Sequence, residues 1–179
     1  MILFFGSAGS GKSTQAQMMV DDGGWSWVST GQLLRDTTDK EVHEFQKKGV
    51  LVPIEKVNQV LAETLDKEAP AKNLILDGYP RQLDQALWLL ENCKSRGINI
   101  DLAINFDVDM EELLNRMNSR GRVDDTPEAI NSRLAIYHEE IDPILDVLSS
   151  SGVKVVHING IGAREDIHIR TSEVISKYS

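Results

Sequence analysis

The residues with the clearest chemistry lie near the start of the chain. The sequence Gly6-Ser7-Ala8-Gly9-Ser10-Gly11-Lys12-Ser13 follows the apolar run Ile2–Phe5. It matches G-x-x-x-x-G-K-[ST] between a predicted strand and a predicted helix. Its glycines let backbone N–H groups surround a polyphosphate, and the helix N-terminus adds partial positive charge. Lys12 can reach the β- and γ-phosphates and Ser13 a magnesium ion, so this P-loop predicts binding of a nucleoside triphosphate.

A carboxylate and an arginine follow the predicted strand Leu74–Leu76, in the sequence Asp77-Gly78-Tyr79-Pro80-Arg81. An aspartate at the end of a strand beside the P-loop strand would stand next to a phosphate-bound magnesium ion. The Gly–Pro turn is expected to direct Arg81 back toward the phosphates. No N-K-x-D motif for reading guanine occurs, so the pattern does not indicate a GTPase.

Four arginines stand close together in a chain that is otherwise acidic: Arg116, Arg120, Arg122 and Arg133. The first two are four residues apart on a predicted helix and therefore project from one face. A solvated basic surface is the alternative interpretation. Phosphoryl transfer depends on positioning and charge stabilisation, which guanidinium groups supply by gripping phosphate oxygens. Because the cluster follows the fourth predicted strand, we expect it to contact phosphates.

Short apolar runs alternate with amphipathic stretches along the chain. The predicted strands are Ile2–Phe5, Trp27–Ser29, Leu74–Leu76, Leu102–Phe106 and Val153–Ile158. The predicted helices are Lys12–Val20, Ile54–Lys67, Gln82–Arg96, Met110–Ser119, Pro127–Ser149 and Arg164–Lys177. Near-continuous apolar strands predict a parallel sheet covered on both faces, so the fold class is a three-layer α/β domain. Ligands of such sheets bind beyond the carboxyl ends of the strands.

Composition limits the classes of partner. The 179 residues suit one domain, and the formal net charge of −9 disfavours nucleic acid and anionic membranes as partners. Cys93 is the only cysteine, so neither an intrachain disulfide nor a cysteine-rich zinc site is expected. No apolar run approaches the roughly 20 residues that span a bilayer. We expect a cytoplasmic monomer.

Four further motifs accompany the P-loop. They are Ser29-Thr30-Gly31-Gln32-Leu33-Leu34-Arg35, Gly49-Val50-Leu51-Val52-Pro53, the Asp77–Arg81 turn followed by Gln85-Ala86, and Arg122-Val123-Asp124-Asp125 with the downstream Arg133. In this order they resemble the motifs of adenylate kinases, within the nucleoside monophosphate kinase family, over essentially the whole chain. The resemblance implies one P-loop kinase domain over residues 1–179, with a five-stranded parallel sheet. It also implies reversible transfer of the γ-phosphate of Mg·ATP to AMP, giving two ADP.

The resemblance further implies a role for each matching residue. The residues expected to bind ATP are Gly9, Ser10, Gly11, Lys12, Ser13, Thr14, Arg116, Arg120 and Gly162. Those expected to bind AMP are Thr30, Arg35, Val50, Leu51, Val52, Gly78, Tyr79, Pro80, Arg81, Gln85, Arg122 and Arg133. The expected catalytic residues are Lys12, Asp77, Arg81, Arg120, Arg122 and Arg133. Asp77 is expected to bind Mg²⁺ through water, and Ser13, where the family usually has glycine, is expected to bind it directly.

Two residues bear on the identity of the acceptor. Relatives that prefer pyrimidine monophosphates typically carry Ala and Asn where this chain has Thr30 and Gln85. The glutamine amide offers a donor and an acceptor to adenine, so AMP is the expected acceptor. A kinase of the same fold acting on UMP, CMP or another small acceptor is one alternative. A nucleotide-responsive binding protein without turnover is another, which the intact lysine and arginine clamps disfavour.

The chain departs from the family pattern in three places. The family usually has G-K-G-T where this chain has Ser13 between Lys12 and Thr14. The monophosphate-binding segment, residues 29–53, is several residues shorter than usual. The lid, residues 116–125, is shorter still, since only Gly121 separates Arg120 from Arg122. The arginines of this chain can be matched to the two helix arginines of the family in two ways. If residues are counted forward from the fourth strand, Arg116 and Arg120 correspond to those two arginines. If they are counted back from Asp125, Arg116 corresponds to the second of the two.

Overall fold

The computed structural model describes residues 1–68, 73–120 and 125–178. The strands are β1 (Ile2–Phe5), β2 (Ser26–Ser29), β3 (Leu74–Asp77), β4 (Leu102–Asp107) and β5 (Lys154–Asn159). The helices are α1 (Lys12–Asp21), α2 (Thr30–Asp36), α3 (Lys40–Lys48), α4 (Ile54–Glu68), α5 (Leu83–Ser95), α6 (Met110–Arg120), α7 (Pro127–Ser150) and α8 (Arg164–Tyr178). The predicted elements are confirmed, and their ends differ from the expected ones by no more than one residue.

All pairs of neighbouring strands are parallel, and the order across the sheet is β2-β3-β1-β4-β5. In this register Phe4 of β1 lies opposite Asp77, and Asp77 also lies opposite Ser29 of β2. The carboxyl ends of three strands therefore meet at one edge. This arrangement confirms the predicted α/β fold and brings the P-loop, the Asp77 turn and the start of α2 together.

The core lies on both faces of the sheet because successive side chains of each buried strand point to opposite faces. Leu3 and Phe5 of β1 pack with side chains of α4, α5 and α7. Ile2 and Phe4 pack on the other face, with side chains of α1 and α8. A strand buried on both sides needs apolar residues at every position, which explains the uninterrupted Ile2–Phe5 run.

The segment predicted to bind the monophosphate consists of α2, α3 and the chain that leads into α4. Gly49 caps the C-terminus of helix α3, and its φ of 68° is left-handed. A Cβ at Gly49 would lie 2.5 Å from the carbonyl oxygen of Ala129 on α7, so only glycine allows this close approach. The predicted lid includes residues 121–124, which lie outside the described residues. The division into core, segment 29–53 and lid 116–125 stays a prediction.

Candidate active site

A single cleft of about 710 Å³ opens at the carboxyl ends of β1, β2 and β3. The P-loop forms its floor, α2 and residues 49–52 form one wall, and parts of α6 and α7 form another. One end reaches Gly162 and Arg164 at the start of α8. The cleft lies beyond the carboxyl ends of the strands, where the fold class predicts a ligand.

The P-loop connects β1 to α1 as the motif requires. Gly11 immediately precedes α1 with a φ of 91°, and Lys12 is the first helical residue. Gly9 has a φ of 88° and lies under α6, where a Cβ would be 3.1 Å from the carbonyl oxygen of Leu113. The Lys12 ammonium group donates a hydrogen bond to the Ser7 carbonyl (3.2 Å). The Lys12 side chain is therefore held over the P-loop, where it is expected to contact phosphates.

Ser13 and Asp77 contact each other at the edge where β1 and β3 end. The Ser13 hydroxyl donates a hydrogen bond to Asp77 Oδ2 (2.5 Å). Asp77 is 2% exposed, and its other oxygen, Oδ1, has no hydrogen-bond partner among the described residues. A buried carboxylate oxygen without a donor is unfavourable. A cation or an ordered water that binds there would relieve this cost.

Three arginines line the opposite part of the cleft. Arg35 lies on α2, Arg81 follows the β3 turn, and Arg133 lies on α7. Arg81 is exposed to solvent within the cleft, and the protein atoms around it lower its pKa, as do the charges of Arg133 and Arg35, whereas the Asp77 carboxylate raises it. A Cβ built on Gly31 would lie within 4 Å of the guanidinium groups of both Arg35 and Arg81, so these two groups lie close together. An anion bound among the three arginines would be stabilised by all of them.

The side chains expected to read the acceptor base are buried beside these arginines. Thr30 is 3% exposed, and its hydroxyl has no partner among the described residues. Gln85, 2% exposed, accepts a hydrogen bond from the Arg81 backbone N–H through Oε1 (2.8 Å). Val50, Leu51 and Val52 also line the cleft. Gly78, Tyr79 and Pro80 form the turn before Arg81, and the Tyr79–Pro80 peptide bond is cis.

Arg116 is bound to protein rather than pointing freely into the cleft. Its Nη1 donates to the carbonyls of Gly9 and Ser10 (3.4 Å each), and Nη2 donates to the Gly160 carbonyl (3.0 Å). Its Nε forms an ion pair with Glu112 (2.7 Å). Arg116 therefore braces the P-loop against the chain that joins β5 to α8. The Glu112–Arg116 spacing of four residues is a sequence signal for this helical pair.

Arg133 joins two parts of the cleft. Its Nη1 pairs with Asp125 Oδ1 (2.8 Å), and its Nη2 donates to the Gln46 carbonyl on α3 (3.1 Å). Arg120 is the last residue of α6, but its side chain is outside the described part of the chain, as is Arg122. The positions of these two guanidinium groups stay predictions.

The sequence analysis did not identify Gln15, which connects the start of α1 to the start of α8. Gln15, directly after Thr14, donates from its amide to the Arg164 carbonyl at the start of α8 (3.0 Å). It is 2% exposed and lines the cleft beside Gly162. No local signal distinguishes it from other polar residues in the first turn of a helix, since its partner is 149 residues away.

The sheet order, the P-loop and the paired Ser13 and Asp77 define an α/β protein of the P-loop class. A profile of the family described as adenylate kinase matches residues 4–153. An adenylate kinase of Parabacteroides distasonis is 37% identical over 185 residues, covering 98% of this chain and 97% of that protein. Adenylate kinases of Mycobacterium ulcerans and Mycobacterium leprae are 34% and 35% identical, each covering 98% of this chain and 99% of the relative.

The chain belongs to the adenylate kinase family. The predicted family and enzyme class, a nucleoside monophosphate kinase, are confirmed.

Proposed function

We propose that this chain transfers the γ-phosphate of Mg·ATP to AMP, reversibly, to give two ADP. The observation that carries the proposal is that one cleft joins the P-loop to the cluster of Arg35, Arg81 and Arg133. A triphosphate on the P-loop and a monophosphate among the arginines would meet beside Asp77. Asp77 contacts Ser13 of the P-loop, and the next residue, Gly78, accepts a hydrogen bond from Arg81 Nε (2.8 Å), so the two phosphate sites would be adjacent.

The donor half uses the P-loop and the end of the cleft at α8. Backbone N–H groups of Gly9, Ser10 and Gly11 surround the phosphates, and Lys12 supplies positive charge. Thr14 follows in the first turn of α1, and Gly162, which lines the same cleft, would border the donor base. Arg116 holds the loop in shape through its bonds to two P-loop carbonyls.

The residues at the Ser13–Asp77 contact suit a magnesium ion. Both side chains offer oxygen, and Asp77 Oδ1 has no partner among the described residues. Magnesium bound with ATP neutralises charge on the β- and γ-phosphates. Adenylate kinases use Mg²⁺ with ATP, and we assign the ion in this chain to Ser13 and Asp77.

The acceptor half uses charge for the phosphate and hydrogen bonds for the base. Arg35 and Arg81 would grip the α-phosphate of AMP, while Thr30 and Gln85 read the adenine. The Gln85 oxygen already accepts from Arg81 N–H, so the NH₂ group is the part of its amide that remains to donate to the base. An attacking phosphate oxygen is already ionised, and no general base is needed.

Catalysis in this arrangement comes from positioning and charge. Lys12 and Arg81 hold donor and acceptor phosphates in one cleft, which removes the entropy cost of their encounter. Arg133, with Arg120 and Arg122 by resemblance, would stabilise charge on the transferring group. No helix in the described part of the chain combines the length and apolar character of a membrane span. We further propose a cytoplasmic monomer whose partners are ATP, AMP and ADP.

A coupled assay with AMP, dAMP, GMP, CMP and UMP as acceptors tests the proposal. We expect kcat/KM for AMP to exceed that for CMP and UMP by about tenfold or more, because a base that leaves a buried polar group unpaired is rejected. The Lys12→Met variant keeps the length of the stem and removes the charge. Its turnover should fall by about a hundredfold or more, which also excludes a contaminating kinase. Equal use of pyrimidine acceptors would contradict the roles of Thr30 and Gln85, and binding without turnover would indicate the non-catalytic alternative.

A further inference from the structure

Asn105 is a polar residue inside an apolar strand. It lies in β4, where every other residue before Asp107 is apolar, and it is 4% exposed. Asparagine is uncommon in strands, and a buried amide is unfavourable unless its polar groups find partners. Asn105 is not among the residues expected to bind either nucleotide, so its place in the sheet has another reason.

Two hydrogen bonds determine how the Asn105 amide is oriented. Its Nδ2 donates to Asp107 Oδ1 (2.7 Å), since an ionised carboxylate can only accept. The amide is therefore oriented with its oxygen toward Tyr137, whose hydroxyl donates to Asn105 Oδ1 (2.6 Å). Asp107 Oδ2 in turn lies 3.0 Å from His157 Nδ1 on the neighbouring strand β5. The amide is thus held by strand residues and fixes the position of the Tyr137 hydroxyl.

Tyr137 lies on the same face of α7 as Arg133. The two residues are four apart in the helix, and both line the cleft. A bond that fixes the Tyr137 hydroxyl against β4 therefore also fixes α7 one turn away from the Arg133 guanidinium group.

Asn105 lies beside the start of the P-loop. In the register of the sheet it is opposite Phe5, the residue before Gly6. A Cβ at Gly6 would be 3.2 Å from the carbonyl oxygen of Phe106, so β4 packs closely against the start of the loop. The Tyr137 hydroxyl therefore ties α7 to the strand that adjoins the P-loop.

We propose that Tyr137 and Asn105 are a positioning pair for phosphoryl transfer, whose hydrogen bond fixes the distance between Arg133 and the P-loop. The inference rests on the proposed function, because it requires a phosphate that is transferred between these two parts of the cleft. Both residues act through Arg133 and not by contact with the nucleotides. Each nucleotide site keeps its own residues without the bond, but a displacement of about 1 Å between reacting groups can cost about a hundredfold in rate.

The Tyr137→Phe variant removes the hydroxyl and keeps the ring. We expect kcat to fall about tenfold, with KM for ATP and KM for AMP changed by less than about twofold, because only the relative placement of the two sites is lost. Asn105→Leu removes the acceptor of the same bond, so the double variant should be no slower than the slower single variant. An unchanged kcat in Tyr137→Phe, or losses that multiply in the double variant, would overturn the pairing.

Thr171→Val is the control for loss of a buried hydrogen bond elsewhere in the fold. The Thr171 hydroxyl is buried and donates to the Ile167 carbonyl within α8 (2.8 Å). Urea unfolding should show that this variant is destabilised, as Tyr137→Phe is, while its kcat stays at the wild-type value. A kcat that falls as far in Thr171→Val as in Tyr137→Phe would show that kcat follows stability and would contradict the positioning role.

A bisubstrate ligand, two adenosines joined by five phosphates, tests the positioning without turnover and does not depend on the folding of Asn105→Leu. It must occupy both sites at once, so its affinity depends on their relative placement. Calorimetry compares the wild type and Tyr137→Phe with this ligand, with β,γ-imido-ATP alone and with AMP alone. We expect the affinity for the bisubstrate ligand to fall about tenfold in the variant, and the affinities for the two single ligands to change by less than about twofold.

The outcomes of this comparison separate the inference from the proposed function. Equal affinity of both proteins for the bisubstrate ligand would overturn the positioning role and leave the proposed function intact. Equal losses for all three ligands would also overturn it, since they would indicate a general disturbance of the cleft. Failure of the bisubstrate ligand to bind the wild type would overturn the proposed function as well.

Discussion

At the scale of single residues, the acceptor site depends on a bond between two side chains with different tasks. Gln85 fixes the backbone N–H of Arg81, so the residue expected to read the base also positions the residue expected to bind the phosphate. Arg81 in turn donates from Nε to the Gly78 carbonyl (2.8 Å). Truncation of Gln85 would therefore disturb both tasks at once, and only a substitution that keeps its oxygen can separate them.

The Gln85→Glu variant makes that separation. A carboxylate still accepts from Arg81 N–H but has no NH₂ group to donate to adenine. We expect KM for AMP to rise by about tenfold, because one hydrogen bond at a polar base edge is lost, with KM for ATP changed by less than about twofold. Steady-state kinetics with each substrate varied in turn measures the difference. Gln82→Glu, at the N-cap of α5 without a side-chain cap bond, is the control, and equal rises in both KM values would contradict the prediction.

At the scale of elements, the monophosphate segment reaches α7 through two contacts. The Gln46 carbonyl accepts from Arg133, and Gly49 lies against the Ala129 carbonyl. Both contacts hold the end of α3 over the arginine cluster. The position of this wall is therefore set by α7, which also carries Arg133 itself.

Gly49→Ala tests whether this contact sets the acceptor site. The added Cβ would lie 2.5 Å from the Ala129 carbonyl oxygen, so α3 must move away from α7. Gly97→Ala is a matched control, since Gly97 follows α5 with nearly the same φ (67° against 68°) and nothing lies within 4 Å of its Cβ. Both variants carry the same backbone strain, about 1–2 kcal/mol. We expect only Gly49→Ala to raise KM for AMP, by about tenfold. An unchanged KM for AMP in this variant would mean that the position of this wall does not depend on the contact with α7.

At the scale of the whole molecule, burial of ionisable groups limits stability at high pH. Burial raises the pKa of the Cys93 thiol from 9.0 to about 11. It also raises the pKa values of the Tyr79 and Tyr137 hydroxyl groups above their ordinary range. A group whose pKa is raised in the folded state contributes stability that is fully present below its unfolded pKa. That contribution is lost as the pH rises toward the folded pKa, because the unfolded chain releases the proton first.

The free energy of unfolding should therefore fall between about pH 9 and pH 11. Cys93→Ala lowers stability at every pH by leaving a cavity, but it should also reduce the slope of this fall. The slope should decrease by at most the contribution of one proton, which is about 1.4 kcal/mol per pH unit. Urea unfolding at pH 8, 9.5 and 10.5 followed by circular dichroism measures the slope in both proteins. Identical slopes would show that the thiol titrates alike in the folded and unfolded chain.

Much of the site could be predicted because its signals are local. The P-loop is a continuous run whose glycines and lysine act through neighbouring backbone, and the alternation of apolar runs and amphipathic stretches determines strands and helices one by one. Each of these features depends on residues within a few positions of one another. The amino-acid sequence by itself therefore determined the elements, the α/β class and the chemistry of the P-loop.

Only the tertiary structure decided which distant side chains meet. Arg133 and Gln46 are 87 residues apart, and Gln15 and Arg164 are 149 apart. Nothing in the local pattern of either partner indicates the other, since such contacts depend on the order of strands and on how closely helices pack. The placement of Arg116 against the P-loop carbonyls has the same origin. Hydrogen-bond geometry tolerates errors of only a few tenths of an ångström, and packing of the whole core sets these distances.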